Sequence, residues 1–95
     1  MKHKVYVIVS VPIIEKEYDM YLPVVKKIGA VKKIIIDMIS KESDNNFIDD
    51  GTKHLYLKKT GEILDDNIFV KYSDIKNGTK LILYWKGVCY ANYNY

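Results

Sequence analysis

The side chains most suited to chemistry are few and dispersed in this sequence. The single cysteine, Cys89, excludes an intrachain disulfide and a cysteine-cluster metal site, and no base lies beside it in the sequence. The two histidines, His3 and His54, lie far apart and carry no metal-ligand motif around them. A histidine without a partner to orient it lacks what catalysis and metal binding require. We therefore expect both histidines at a strand edge or on the surface.

Carboxylates occur in adjacent pairs, at Asp49-Asp50 and Asp65-Asp66, which raises the possibility of general acid–base chemistry. Each pair lies among turn-forming residues, where aspartate is favoured because it hydrogen-bonds the backbone. Residues 44–51 are rich in calcium-type oxygen ligands, but their spacing does not match the EF-hand loop, which also needs a glutamate at its twelfth position. The glycines are isolated, so no phosphate-cradling loop is present. The sequence therefore predicts no enzyme, cofactor or metal site.

Composition indicates one small globular domain. The chain has 95 residues, of which 48% are hydrophobic and 28% charged, enough for a modest core. No window approaches the roughly 20 apolar residues of a membrane span, and we expect an unprocessed cytoplasmic protein without membrane insertion. All 15 basic residues are lysines, so the guanidinium fork that reads guanine is missing despite the net charge of +3. Nucleic-acid binding, with lysines on phosphate and tyrosines stacking on bases, stays open as an alternative function.

The spacing of apolar residues predicts a hairpin followed by a helix. Residues 4–11 alternate valines with other side chains, and residues 17–22 alternate again after a short turn at Pro12, so both read as strands. The period then changes to that of a helix, with a predicted core stripe of Ile28, Val31, Ile35, Met38 and Ile39. Ile34 and Ile36 flank this stripe, which makes the apolar face broad enough to cover a sheet.

Two further strands and a short return are predicted after the helix. Residues 54–59 form the third strand, residues 63–64 a short return, residues 70–75 a single helical or 3₁₀ turn, and residues 79–85 the last strand. Asn77-Gly78 is a strong turn signal because both residues tolerate positive φ. This order predicts an α+β fold of the β-grasp type, ββαββ, with a mixed sheet packed on one helix. The last strand is expected beside and parallel to the first.

The second half resembles ubiquitin and its relatives. The resemblance lies in Leu55-x-Leu57-x-x-x-Gly61-x-x-Leu64 and in the segment from Tyr72 to Leu83 that ends in Leu-x-Leu. The first half, residues 18–24 leading into Lys26-Lys27-Ile28, is similar to the YukD/EsaB family, bacterial ubiquitin-like proteins encoded with type VII (WXG-type) secretion machinery.

The resemblance implies a ubiquitin-like β-grasp domain, which we expect over residues 1–86. Residues 87–95 are predicted as an aromatic tail, which departs from the shorter members of that family. The resemblance also implies a non-enzymatic accessory or regulatory protein of a type VII secretion system. Conjugation through a terminal Gly-Gly is not expected, because the sequence ends in Tyr93-Asn94-Tyr95. The YukD/EsaB proteins likewise lack that terminus. A ubiquitin-like adaptor unrelated to secretion is the further alternative.

One face of the predicted sheet is unusually rich in tyrosine. If the helix covers the valine side, the opposite side carries a predicted protein-binding set of Tyr6, Ile8, Tyr21, Tyr56, Lys58, Ile82 and Tyr84. Tyrosine provides a large contact area with few rotatable bonds and a polar tip, which suits recognition. The predicted partner is a secretion-system component or a second copy of the chain. Two alternatives stay open for this face: the tail covers it, or its tyrosines follow from strand propensity alone.

Overall fold

A computed structural model describes residues 3–42 and 53–85 of the chain. The carboxylate-rich residues 44–51, Cys89 and the predicted tail at residues 87–95 lie outside these ranges. The described elements follow the predicted order, with 3₁₀ turns at Pro12–Ile14 and Val70–Tyr72. The strands are β1 (Lys4–Val11), β2 (Lys16–Pro23), β3 (Lys53–Leu57) and β4 (Thr79–Trp85), and the helix is α1 (Ile28–Glu42).

The four strands form one mixed sheet in the order β2-β1-β4-β3. Strands β1 and β2 pair as an antiparallel hairpin, and β3 pairs antiparallel with β4. The central pair, β1 and β4, is parallel, with Val7 opposite Thr79 and Val9 opposite Leu81. The predicted placement of the last strand is therefore confirmed.

The Asn77-Gly78 turn joins the beginning of β4 to β1. The backbone N–H of Tyr6 donates to Asn77 Oδ1 at 2.9 Å, and the N–H of Gly78 donates to the Tyr6 carbonyl at 2.8 Å. Gly78 has φ +88°, in the left-handed region that side chains other than glycine rarely adopt. Hydrogen bonding to β1 therefore starts in this turn, before the first residue of β4.

The core lies between α1 and the inner face of the sheet. Every second residue of β1 is buried, which confirms the predicted valine face. The buried apolar residues are Val5, Val7, Val9, Val11, Met20, Leu22, Ile28, Val31, Ile35, Ile36, Ile39, Leu55, Leu57, Val70, Ile75, Leu81 and Leu83. This set unites residues from both ends of the chain, so the core depends on the whole sequence from β1 to β4.

The helix is turned slightly from its predicted orientation. Met38, assigned to the core stripe from spacing, is 49% exposed, whereas the flanking residue Ile36 is 1% exposed. Ile34 on the other flank is 38% exposed. Helical spacing locates an apolar face but leaves its exact centre open, and here the sheet contacts the Ile36 side.

The segment between β3 and β4 fixes the beginning of α1. The N–H groups of Ile28 and Gly29 donate to the carbonyls of Ile68 and Asp66, at 2.9 and 3.0 Å. The Asp66 carboxylate also pairs with Lys32 Nζ at 3.0 Å. Two of the N–H groups that a helix leaves free at its first turn are therefore satisfied by a distant loop.

Two predicted strand extents after the helix need correction. Strand β3 ends at Leu57, so the predicted last two residues, Lys58 and Lys59, belong to the following turn. The predicted short return at residues 63–64 is a single bridge between Ile63 and Tyr56. Gly61, with φ +75°, lies in this turn and donates its N–H to the Leu57 carbonyl at 2.7 Å.

Candidate protein-binding face

The residues that alternate with the core positions lie on the side of the sheet opposite α1, which we call the outer face. Strand pairing brings the seven predicted binding residues together on this side. Tyr6 lies opposite Tyr21, Tyr56 opposite Ile82, and Tyr84 opposite His54. Ile8 lies on β1 one step along from Tyr6 on the same side. The set is therefore one surface, as the alternation predicted.

The four tyrosines form two pairs at opposite corners of the outer face. The rings of Tyr6 and Tyr21 have centroids 5.7 Å apart and are inclined at 52°. The rings of Tyr56 and Tyr84 are 5.5 Å apart in an edge-to-face arrangement at 74°. Such pairs are favourable because the ring edge is electropositive and the ring face electronegative. Each pair joins two neighbouring strands and holds its rings in a defined orientation.

Exposure differs strongly along this surface. Tyr21 is 68% exposed, and Lys58 is exposed as well. The remaining five residues are half-buried: Tyr6, Ile8, Tyr56, Ile82 and Tyr84. Apolar rings that are held in place and still partly open to solvent lose little conformational freedom on binding. The outer face therefore combines rings in defined orientations with partial access to solvent.

Charged residues divide the outer face, and the sequence-based set included only one of them, Lys58. Asp19 and Glu17 are exposed on β2, at one edge of the sheet. Lys80 on β4 and Lys58, whose N–H donates to the Lys80 carbonyl at 3.0 Å, are exposed toward the other edge. Lys4 is also exposed on this face, at the beginning of β1. Further along β1, the β2 side of the outer face is therefore acidic and the β4 side basic.

The acidic edge acts on one of the tyrosines, Tyr6. Burial raises the pKa of the Tyr6 phenol above its usual value of 10.0, and Asp19 raises it further by its charge and by accepting a hydrogen bond. A negative carboxylate opposes formation of a second negative charge beside it. Tyr6 is accordingly a neutral hydrogen-bond donor at physiological pH.

An open groove continues the basic edge. It has a volume of about 760 Å³ and lies between the turn after β3 and the segment that leads into β4. Its lining includes four lysines, Lys58, Lys59, Lys76 and Lys80, and one carboxylate, Asp74. Such a groove attracts anionic groups, since the positive charges outnumber the negative one.

A second apolar patch, away from the sheet, was not predicted from the sequence. Tyr72 is 73% exposed and packs edge-to-face on Phe69, with centroids 6.2 Å apart. Lys27 lies 5.7 Å from the Phe69 ring and Lys71 lies 5.2 Å from the Tyr72 ring, both at cation–π distance. The signal that would have revealed it is an aromatic pair three residues apart around buried Val70, in a segment predicted only as a turn.

The residues considered for chemistry occupy separate, structural positions where they are described. Asp65 Oδ1 accepts the N–H of Asn67 at 2.9 Å, as in an Asx turn, and Asp66 pairs with Lys32. His54 is half-buried opposite Tyr84, and His3 is exposed. Within residues 3–42 and 53–85, no group of three or more His, Cys, Asp and Glu side chains is placed to hold a metal ion.

The fold defines the class of this protein. A mixed four-stranded sheet with a parallel central pair, packed on one helix, is the ubiquitin-like β-grasp architecture. In the described part of the chain, no helix has the length and apolarity needed to cross a membrane.

Solved structures support the same class. The chain superimposes on part of a chain of the MycP5-free ESX-5 inner membrane complex with a TM-score of 0.72 and 14% identity, over 88% of this chain and 21% of that one. It thus spans about a fifth of that chain's length. The EccD5 ubiquitin-like domain from Mycobacterium xenopi matches with a TM-score of 0.69 and 13% identity, over 87% of this chain and 94% of the domain.

Ubiquitin itself gives a comparable match. Caldiarchaeum subterraneum ubiquitin matches with a TM-score of 0.69 and 16% identity, over 90% of this chain and 96% of the ubiquitin. At these identities the likeness concerns the fold. No protein-family model matches the chain, and no curated protein matches it.

Proposed function

We propose that this chain is a non-enzymatic, cytoplasmic ubiquitin-like domain that serves a type VII secretion system by docking onto one of its protein components. Two kinds of support converge. The first half of the sequence resembles the YukD/EsaB family, and two structural neighbours belong to ESX machinery, a complex of the inner membrane and an isolated EccD5 domain. Ubiquitin-like domains act mainly by presenting surfaces to other proteins, so the docking surface is the central question.

The observation that carries the proposal is the composition of the outer face. Two oriented tyrosine pairs with Ile8 and Ile82 between them form an apolar surface, with charges at both edges. Interfaces between proteins are enriched in tyrosine at the centre and carry charges at the rim.

The test uses a double variant at the centre of this surface. Tyr56 and Ile82 lie directly opposite each other on β3 and β4, so Tyr56→Ala with Ile82→Ser removes one continuous apolar contact. The control is Tyr72→Ala, which removes a tyrosine that is more exposed and lies outside the sheet. Circular dichroism checks that both variants keep the fold.

The probe is the purified soluble domain of the membrane ATPase of the secretion system, if genes for such an ATPase and a WXG-motif protein flank this one. We expect binding, measured by biolayer interferometry, to weaken at least about 100-fold in the double variant, as for two central contacts. The control should stay within about threefold. Equal binding by the double variant and the unaltered chain would refute the docking surface.

The basic groove favours one other function, binding of single-stranded nucleic acid. Four lysines in the groove would contact phosphates. The affinity for a labelled oligonucleotide would then fall steeply between 50 and 200 mM salt, because binding releases counterions. For a single strand, the affinity falls with roughly the 0.7 power of the salt concentration for each phosphate contact. Docking through the apolar part of the outer face depends only weakly on salt. A salt titration with both probes therefore separates the two functions.

A further inference from the structure

The pairing of the strands arranges the charges of the outer face in order across the sheet. Ile8 lies opposite both Asp19 on β2 and Lys80 on β4, and Lys58 follows through its bond to the Lys80 carbonyl. This row of the sheet therefore carries, in order, an acidic, an apolar and a basic side chain, and the turn after β3 adds a second basic one, Lys58. The next row has Glu17, Ser10, Ile82 and Tyr56 in the same order of strands.

We propose that the outer face binds the outer face of a second copy of this chain, related by a two-fold axis. The axis lies midway between the two stacked sheets, above the β1–β4 pair, and runs parallel to the strands. This operation places the β2 edge of one copy over the β3 edge of the other. Asp19 of each copy then faces Lys58 of the other, and Ile8 faces the stem of Lys80. Because the axis is two-fold, every such contact occurs twice, as in other self-complementary interfaces.

The charges select this axis among those that stack two such faces. An axis across the strands would place β2 over β2 and bring Asp19 and Glu17 of the two copies together, with the lysines likewise opposed. Like charges in contact across an interface repel each other and suppress that arrangement. In the proposed arrangement the two sheets are aligned and stacked face to face. Such sheets lie about 10 Å apart, and side chains from both faces fill the gap.

The size of the face sets the strength expected of this dimer. Four strands of seven or eight residues, or five in β3, make a surface of roughly 20 by 25 Å, since strands are about 4.8 Å apart and rise about 3.3 Å per residue. The projected area of about 500 Å² is below the roughly 800 Å² per partner of a stable interface. The dimer should therefore be weak, with a dissociation constant in the micromolar range or above.

This inference rests on the proposed docking role of the outer face and adds a consequence to it. A surface engaged with a second copy is covered, so self-association and docking onto a secretion component exclude each other. Addition of the ATPase domain should shift the chain from dimer to 1:1 complex. The dimer is then the resting form of the docking surface.

Charge reversal tests the arrangement, with sedimentation equilibrium at 10–1000 μM protein as the measurement. Asp19→Lys and Lys58→Glu should each weaken dimerisation about 10-fold or more, because each change creates two repulsive contacts. The double variant, Asp19→Lys with Lys58→Glu, restores opposite charges between copies and should return to within about threefold of the unaltered chain. Within one copy the two residues lie three strands apart, about 14 Å, too far for a direct contact to explain the recovery.

Matched controls change the same charges on the opposite side of the domain. Asp37→Lys and Lys33→Glu alter two exposed residues of α1 and should leave dimerisation within about twofold. A chain that stays monomeric at 1000 μM overturns the proposal. NMR contacts between the amide protons of residues 87–95 and the side chain of Ile82 would then identify the tail as the occupant of the outer face. If the double variant does not recover dimerisation, the two-fold arrangement is overturned. Binding of the ATPase domain is measured separately, so its loss counts against the proposed function and not against the dimer.

Discussion

The orientation of α1 provides a quantitative test of the core. Ile35 and Ile36 are 0% and 1% exposed, whereas Met38, on the same helix, is 49% exposed. Truncation of a fully buried isoleucine to alanine removes apolar contacts and leaves a cavity, which costs about 2–5 kcal/mol. We therefore expect Ile35→Ala and Ile36→Ala each to lower the free energy of unfolding by about 3 kcal/mol.

The control at Met38 has a much smaller expected effect. Full burial of a methionine side chain contributes about 1.5–3 kcal/mol, so burial of about half contributes roughly 1 kcal/mol. The higher helix propensity of alanine offsets part of this loss, by a few tenths of a kcal/mol. Met38→Ala should therefore lower the stability by less than about 1 kcal/mol.

Urea denaturation followed by circular dichroism at 222 nm measures these differences. A domain of this size has a total stability of about 5–15 kcal/mol, so the isoleucine variants lose a large fraction but remain folded. Their melting temperatures should fall by about 12–24 °C, at 4–8 °C per kcal/mol. The dependence on urea should stay the same, because the exposed surface on unfolding is unchanged. A loss in Met38→Ala that equals or exceeds the loss in Ile36→Ala would refute the orientation of the helix.

Two further predictions concern single residues. Gly78→Ala should lower the stability by about 1–2 kcal/mol in the same urea assay, because φ at this position is +88°. No atom lies within 4 Å of the added Cβ, so the loss comes from the backbone conformation alone. Gly78→Asn should lose less, and equal stability of all three chains would contradict the argument. The raised pKa of Tyr6 means that the unfolded chain releases this proton first, so the contribution of Tyr6 to stability is complete below pH 10 and is lost as pH rises through the native pKa. Asp19→Asn should lower that pKa, as measured by the ¹³Cζ shift of Tyr6 in an NMR titration, and an unchanged pKa would show that Asp19 does not act on the phenol.

The strands were predictable because burial leaves a period of two in the sequence. The valines of β1 and the Leu81 and Leu83 pair of β4 mark their inward positions directly, and β4 has the predicted bounds. The presence of helix α1 was predictable but its rotation was not, since several neighbouring apolar residues leave the centre of the face to be decided by the sheet. The burial of Lys53 was not predictable from the sequence either. This residue of β3 is 3% exposed, whereas lysine is almost always exposed.

The tyrosines of the outer face were predictable, whereas its charge order was not. Alternation alone assigns Tyr6 and Tyr56 to one side of the sheet. The order of Asp19, Ile8 and Lys80 across the sheet depends on the register of three strands, two of which are separated by most of the chain. Single-sequence patterns carry the period within a strand but not the register between distant strands.

The hydrogen bond between Tyr6 and Asn77 spans 71 positions of the chain, and this distance has a consequence during synthesis. At about 5–20 residues per second, a ribosome needs roughly 4–14 s to progress from β1 to the turn that completes its pairing. During that interval β1 is paired only with β2, and its second edge and its valines await β4. A nascent chain in this state offers the edge to any extended strand nearby, so the vulnerable period for misassembly ends only when β4 has left the exit tunnel.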